Sequence, residues 1–352
     1  MVDVVQTVLG PIPASALGVT LSHEHLLCDQ RHVTFKEPAD PSERELAHRP
    51  VSLDILYWIQ LNWGSHLDNL VLDSEQAAID EALWYRRAGG DSLVDCTLEG
   101  LGRNPHALVR IARAAGLHIV MGAGYYVAPT HPPHVAGMTE DEITAEIIRD
   151  FTKGVNGTGI CAGLIGEIGS SWPIAAEEVK VFRAAGAAQR ALACGLSVHP
   201  GRHPDSPFQI LELVRAAGAE PRRVIISHIE RTVRSLDGLK ALADTGCYLE
   251  YDLFGMEVTA KYPYRELGID IPSDVQRLDQ IRGLFDAGHG SQLLFSHDVC
   301  TKHRTRRYGG AGFDHILRNI LPWMRERGFT EPEIRQPVVD NPRAAFAMPG
   351  TR

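Results

Sequence analysis

The sequence predicts an α/β fold, a (β/α)8 TIM barrel with a short N-terminal β-hairpin and a long insertion after its first barrel strand. Three observations carry this. Short apolar runs occur eight times along the chain, the stretches between them carry apolar residues at i, i+3, i+4 spacing, and Gly, Pro or Asp punctuates the joints. At 352 residues with 44% apolar side chains, the chain is long enough to bury one large core, and a single domain over residues 1–352 is expected.

The segment 4–18, with Gly10-Pro11 at its centre, reads as the hairpin, placed to close the lower end of the barrel. The expected barrel strands are residues 19–25, 92–97, 118–123, 164–168, 196–199, 224–228, 247–252 and 292–298. Helices are expected at 75–88, 107–115, 175–193, 207–217, 236–245 and 274–287. Gly116, Gly195, Gly218, Gly246 and Gly288 stand where C-caps belong. Between the first two strands, residues 30–50 are rich in charge and proline, and a helix-like stretch with Leu53, Leu56, Tyr57 and Trp58 follows. An insertion of that length is a lid or an interface.

Composition excludes several classes of function. A formal charge of −9 offers no basic surface for nucleic acid. No stretch reaches the ~18 apolar residues of a membrane span, and residues 1–10 lack the charged and apolar regions of a signal peptide, so a cytoplasmic protein acting on a small molecule is expected. Its six cysteines are scattered singly, which suits reduced, buried thiols, and only Cys28 and Cys300 lie near the ligands proposed below.

In a (β/α)8 barrel the active site lies at the C-terminal ends of the strands. His23 and His25 are two apart on one strand, so both imidazoles face one way while Glu24 points away. Glu167, His199, His228 and Asp298 end other apolar runs. Four imidazoles and two carboxylates at one barrel mouth are what two adjacent divalent cations need. Zinc is the first choice, with manganese, cobalt or iron accepted by the same donors. Strand alternation turns His297 away as a packing group, and His118 starts its strand at the opposite end. His131, His134, His203 and His303 read as solvated loop residues. Positive charge near the ligands points to an anionic substrate group: Arg202 and Arg231 each follow a ligand by three residues, and Lys302, Arg304, Arg306 and Arg307 crowd the loop after Asp298. Tyr125, Tyr126, Tyr251 and Phe254 are candidates for the pocket wall.

Certain segments carry a further signal: GVTLSHEH at 18–25, GLIGEIG at 163–169 with Trp172-Pro173, VHPGR at 198–202, SHIERT at 227–232, YLEYDLFG at 248–255, and Ser296-His297-Asp298 with Tyr308-Gly309-Gly310. Through nearly its whole length the chain resembles the phosphotriesterase family of the amidohydrolase superfamily, most closely the phosphotriesterase-related branch. The resemblance implies that His23, His25 and Asp298 hold a first cation and His199 and His228 a second, with Glu167 and a solvent hydroxide bridging them. Glu167 departs from the phosphotriesterases proper, which place a carboxylated lysine there. A second departure is Ile229-Glu230-Arg231, where those enzymes carry an acidic proton relay, and this weakens the case for organophosphate hydrolysis.

The implied reaction is attack of the bridging hydroxide on an acyl carbonyl, with Asp298 taking the proton and delivering it to the leaving group. This branch has been linked to hydrolysis of N-acetyltaurine and similar N-acyl amino acids, so an amidohydrolase for small N-acyl amides with an anionic tail is the leading expectation. A lactonase, carboxylesterase or weak phosphotriesterase on the same metals is the runner-up. A non-catalytic binding protein with a structural metal is the alternative of another class, since the branch has also carried a resiniferatoxin-binding label. Barrels of this kind often pair, so a homodimer is allowed for.

Overall fold

The computed structural model describes residues 2–350. Its strands, in chain order, are β1 (Val4–Thr7), β2 (Gly10–Pro13), β3 (Thr20–Glu24), β4 (Cys28–Asp29), β5 (Val71–Leu72), β6 (Ser92–Asp95), β7 (His118–Ala123), β8 (Leu164–Gly169), β9 (Leu196–His199), β10 (Val224–Ile226), β11 (Tyr248–Tyr251) and β12 (Leu293–Phe295). Eight of them form one parallel sheet in the order β12-β11-β10-β9-β8-β7-β6-β3. It curls until its first and last strands meet, and the seam between them is made by separate hydrogen bonds, most of them through side chains. Ser22 Oγ donates to the Phe295 carbonyl at 3.3 Å, the Asp298 N–H donates to the His23 carbonyl at 3.2 Å, and the His23 N–H donates to Ser296 Oγ at 3.0 Å. Helices Glu75–Arg87, Pro105–Ala115, Glu140–Thr152, Ala176–Leu192, Ser206–Ala216, Leu236–Ala243 and Asp274–Asp286 pack around the outside. This is the TIM barrel that the eight apolar runs predicted.

The differences lie at element ends and in helices outside the expected set, among them Pro41–His48, Glu140–Thr152, Leu321–Glu326 and Asp340–Phe346. Helix Glu140–Thr152 was not expected, although Thr139 and Glu142 form a capping box at its start. Strands β6, β10 and β12 stop two or three residues short of expectation, because the chain leaves the ladder as it reaches the mouth. His228 and Asp298 there adopt left-handed backbone, at φ 51° and 50°, which is costly for side-chain-bearing residues and typical of functional positions. Register shifts interrupt the β3–β6 pairing between Leu21 and Glu24 and the β8–β9 pairing between Ile165 and Ile168. Irregularities of this kind re-aim side chains, and these flank His23 and Glu167.

Hairpin β1–β2 turns through Val8 and Leu9, so Gly10-Pro11 opens its second strand and is not its centre. Val5, Ala14 and Leu17 pack with Val94, Val120, Leu164, Ile225, Leu294 and Phe346, an apolar plug in the N-terminal half of the barrel. With that end filled, only the C-terminal half is left for polar side chains. The long insertion is pinched at its base by β4 pairing antiparallel with β5. It lies over the C-terminal mouth, where Trp63 and Leu70 pack against Leu253, Met256, Tyr264 and Ile271 from the segment after β11. It is a cover over the mouth. No described helix is long and apolar enough to cross a membrane.

Gly122 of β7 fixes the approach of β8: a Cβ there would meet the Gly166 carbonyl oxygen at 2.0 Å. Gly122→Ala therefore has to displace the backbone that carries Glu167, an overpacking of about 1–3 kcal/mol. The expected outcome is a lower denaturant midpoint with weaker metal retention, and an unchanged midpoint would contradict this packing.

Candidate metal centre and active site

Strands β3, β8, β9, β10 and β12, or the residues just past their ends, deliver six polar side chains that converge at the mouth. Glu167, at the centre of β8, is buried and divides its two oxygens between two groups of ligands. Its Oε1 lies 3.4 Å from His23 Nε2 and 4.0 Å from His25 Nε2, while Oε2 lies 2.6 Å from His199 Nδ1 and 3.0 Å from His228 Nε2. Asp298 Oδ1 completes the first group, 3.2 Å from His25 Nε2 and 3.8 Å from His23 Nε2. His199 Nδ1 and His228 Nε2 are 2.9 Å apart. All six candidate ligands come together.

The donor set fits divalent metal on physical grounds. His23 Nε2 is fully buried, aimed into the cluster and without a hydrogen-bond partner. An orphaned buried nitrogen of that kind costs about 1–3 kcal/mol unless something binds it. Among the described residues, His23, His25 and Glu167, and separately Glu167, His199 and His228, bring ligand atoms close enough to share an ion. Burial raises the Glu167 and Asp298 carboxyls, but the surrounding histidines outweigh it and hold both well below the usual carboxylate range. The carboxylates are therefore ionised, as ligands must be. Burial lowers His199 to about 3, whereas for His228 the Asp252 carboxylate overcomes burial and holds the ring near 9.

Residues that the sequence reading passed over set the ring orientations. Asp252 Oδ1 lies 2.8 Å from His228 Nδ1, Glu250 Oε2 lies 3.1 Å from His23 Nδ1, and Thr97 Oγ1 lies 2.9 Å from His25 Nδ1. An imidazole whose far nitrogen is held by an oxygen keeps its other nitrogen free for a metal. The strand-end rule that selected Glu167 would also have selected Asp252, Glu250 and Thr97. Glu24 does point away from the cluster, and it receives hydrogen bonds from Ser296 Oγ and from the His297 and Val299 N–H groups, with His297 Nδ1 at 2.7 Å.

Above the cluster, a small inner cavity of about 50 Å³ is lined by Gln30, Trp63, Tyr126, Arg202, Arg231 and Tyr264 among others. It opens into a vestibule of about 340 Å³ on one side of Arg202 and a groove of about 580 Å³ on the other. Arg231 is buried at 4% exposure, its Nη2 donates to His199 Nε2 at 3.1 Å, and its Nη1 has no partner. The Tyr126 hydroxyl is 3.0 Å from His199 Nδ1, and burial raises this phenol so that it stays protonated.

Several expected roles are corrected. Tyr125 turns into the core and donates from its hydroxyl to Glu146. Tyr251 and Phe254 are fully buried in the same core, Tyr251 against Gln280 and Phe254 edge-to-face with Phe295, so none of the three walls the cavity. Three of the four basic residues after Asp298 are spent on structure: Lys302 pairs with Asp68, Arg306 with Asp314, and Arg304 donates to the Asp298 and Phe254 carbonyls, while Arg307 is exposed. His303 is buried against Asn69, and His131 is inserted under Tyr126, so neither is a solvated loop residue. The cysteines are free, and burial pushes the Cys96 thiol up to about 12 and the Cys28 and Cys300 thiols up as well, which disfavours thiolate ligands.

A model of the phosphotriesterase family matches residues 3–346. An N-acetyltaurine hydrolase from Mus musculus is 41% identical over 340 residues, 96% of each chain. Among solved structures, a resiniferatoxin-binding protein from Rhodobacter sphaeroides has a TM-score of 0.94 at 37% identity, with 97% of this chain and 94% of that one covered. A variant of a phosphotriesterase-like lactonase from Deinococcus radiodurans has a TM-score of 0.75 at 27% identity, covering 97% and 99%.

Asp252→Asn keeps the shape but removes the charge that orients His228. Metal affinity is expected to fall about 10–100-fold with the fold retained, measured by competition with a chromophoric chelator. Unaltered affinity would refute the orienting role of Asp252.

Proposed function

This chain belongs to the phosphotriesterase family, a family of metal-dependent hydrolases, and on that premise we propose that it hydrolyses small N-acyl amides with an anionic tail, of the N-acetyltaurine or N-acyl amino acid type. The observation that carries the substrate class is Arg231. It is a buried guanidinium at the edge of the ligand cluster, and among the described residues neither it nor Arg202 has a carboxylate partner. A buried charge without a counter-ion is expensive, and a sulfonate or carboxylate from a substrate relieves that cost with a two-pronged hydrogen bond. The likeness to N-acetyltaurine hydrolases supports the same reading.

In this reading His23, His25 and Asp298 would hold one divalent cation and His199 and His228 a second, with Glu167 available to both groups. Zinc is preferred, and manganese, cobalt or iron suit the same donors. Bound, the cations supply Lewis acidity and lower the pKa of water to about 7. Were His199 to serve as a ligand through Nδ1, its proton would sit on Nε2, where Arg231 could no longer donate, and the guanidinium would be free for the substrate's anion. Arg202 reaches over the same cavity and shares that anion, and the Tyr126 hydroxyl adds a neutral donor beside it. Asp298 stays ionised at neutral pH and takes the proton of the attacking water. As the C–O bond forms and the C–N bond breaks, it passes that proton to the leaving nitrogen, and the products are a carboxylate and an amine.

A lactone or ester substrate on the same residues is the second reading, favoured by the likeness to a lactonase. The proposal further takes the chain as one catalytic domain acting in the cytoplasm, where its six free cysteines stay reduced.

The test is a screen of metal-loaded protein against N-acetyltaurine, other N-acetyl amino acids, lactones and aryl esters, with metal content measured alongside. Preferred turnover of the anionic amides is expected. Preferred turnover of lactones promotes the second reading, and tight binding without turnover would mean a ligand-binding protein. Asp298→Asn should lower kcat by about 10²–10⁴-fold with the fold intact, so a kcat within twofold of wild type would remove it from proton transfer. Arg231→Met should raise KM for anionic amides by about 10–100-fold, the worth of a charge-assisted hydrogen bond. Equal effects on neutral amides would sink anion recognition.

A further inference from the structure

The vestibule beside the inner cavity is far larger than an acetyl group needs, and much of its wall is aromatic and apolar, beside the polar Ser170, Ser171, His199 and Arg202. Tyr126, Val127, Pro129, Trp172, Tyr262 and Pro263 line about 340 Å³ of it, against about 50 Å³ in the inner cavity above the ligand cluster. Tyr126 and His199 border both spaces, so a group in the vestibule is continuous with a carbonyl held at the ligands. Of the two arginines, Arg202 borders all three spaces, whereas Arg231 borders the inner cavity and the groove but not the vestibule. An N-acyl amide seated with its anion on Arg231 therefore has the vestibule free for the acyl side.

Trp172 gives that space its chemical character. Its indole is 39% exposed and lies parallel to the His203 ring, with centroids 4.2 Å apart and planes 4° apart. His203 borders the groove and Trp172 the vestibule, so the imidazole backs the indole from the far side and leaves the other face to the vestibule. A flat π surface held rigid from behind, with Tyr262 and two prolines nearby, suits a planar aromatic group better than a flexible chain. Offset aromatic stacking adds about 0.5–1.5 kcal/mol beyond area burial.

We infer that the vestibule is an aryl-acyl subsite, and that the enzyme's preferred substrates are N-(arylacyl) amino acids or amino sulfonates, of the phenylacetyl or benzoyl kind, rather than N-acetyl compounds. The inference rests on the amide-hydrolase reading and narrows it to a substrate class.

The experiment compares N-acetyl-, N-(cyclohexylacetyl)- and N-(phenylacetyl)taurine. It measures kcat/KM with the metal-loaded enzyme and, by calorimetry, Kd with the metal-free protein, in wild type, Trp172→Leu and Trp172→Phe. Phenylacetyltaurine is expected to exceed acetyltaurine about tenfold or more, from the added apolar burial, and its cyclohexyl counterpart about threefold or more, from stacking. Trp172→Leu should bring the phenyl-to-cyclohexyl ratio to about one, while Trp172→Phe keeps it above one. Turnover of acetyltaurine with no gain for phenylacetyltaurine overturns the subsite and leaves the amide reading standing, as does a ratio indifferent to Trp172→Leu. If no amide is hydrolysed but the aryl preference appears in Kd, the subsite is upheld and the amide reading falls.

Discussion

The Glu24 carboxylate is the point from which the rest of the site is held. Strands β3 and β12 meet at the barrel seam without a regular ladder, and the chain leaving β12 must still be brought back over the cluster. Glu24 does this by accepting from Ser296 Oγ, the His297 N–H and the Val299 N–H, four residues' length of chain clamped to one buried side chain. Asp298 lies in the middle of that clamp, with its own N–H donated to the His23 carbonyl. Its left-handed backbone is therefore over-determined by its neighbours, which is how a conformation costing about 1–3 kcal/mol persists in a folded protein. Closure of the barrel and completion of the ligand set are one event.

The same economy operates around the lumen. Carboxylates and hydroxyls behind the histidines fix ring orientation before any ligand arrives, with Glu250 behind His23, Asp252 behind His228 and Thr97 behind His25. Ser227 ties this layer together by donating to Glu250 and lying 3.1 Å from Ser197 Oγ. An apolar plug in the lower barrel keeps water from reaching the layer from below. The preorganisation resides in strands, the stiffest part of the fold, so the histidines need not be reordered when metal binds.

How much of this was legible in the sequence follows from what each residue answers to. The eight apolar runs and the strand positions of Glu167 and His199 obey periodicities of backbone geometry, and those are written locally. Asp252 and Glu250 obey the same alternation and were equally readable. Tyr125, Tyr251 and Phe254 could not be placed, because an aromatic beside a strand end packs inward or outward according to helices far away in sequence, here the helices holding Glu146 and Gln280. The basic run after Asp298 misled for a related reason. Its partners Asp68 and Asp314 lie in the insertion and eight residues beyond Arg306, and a charge looks free until its counter-ion is found.

That contrast is what gives Arg231 its weight. In this chain folding supplied a partner to other cations near the mouth: Lys302, Arg304 and Arg306 are all taken, and the buried Arg277 lies between Glu230 and Asp274. A guanidinium at 4% exposure whose Nη1 meets nothing is then an exception to the protein's own habit. Several kcal/mol of desolvation penalty are tolerated at that one position. The cost falls on the free protein and is relieved only when an anion enters, so it acts as a filter: a neutral ligand of the same shape leaves the penalty in place, and an anionic one removes it. The sign of the substrate's charge is thus a property of the unpaired group, and the shape of its other end is left to the walls beside it.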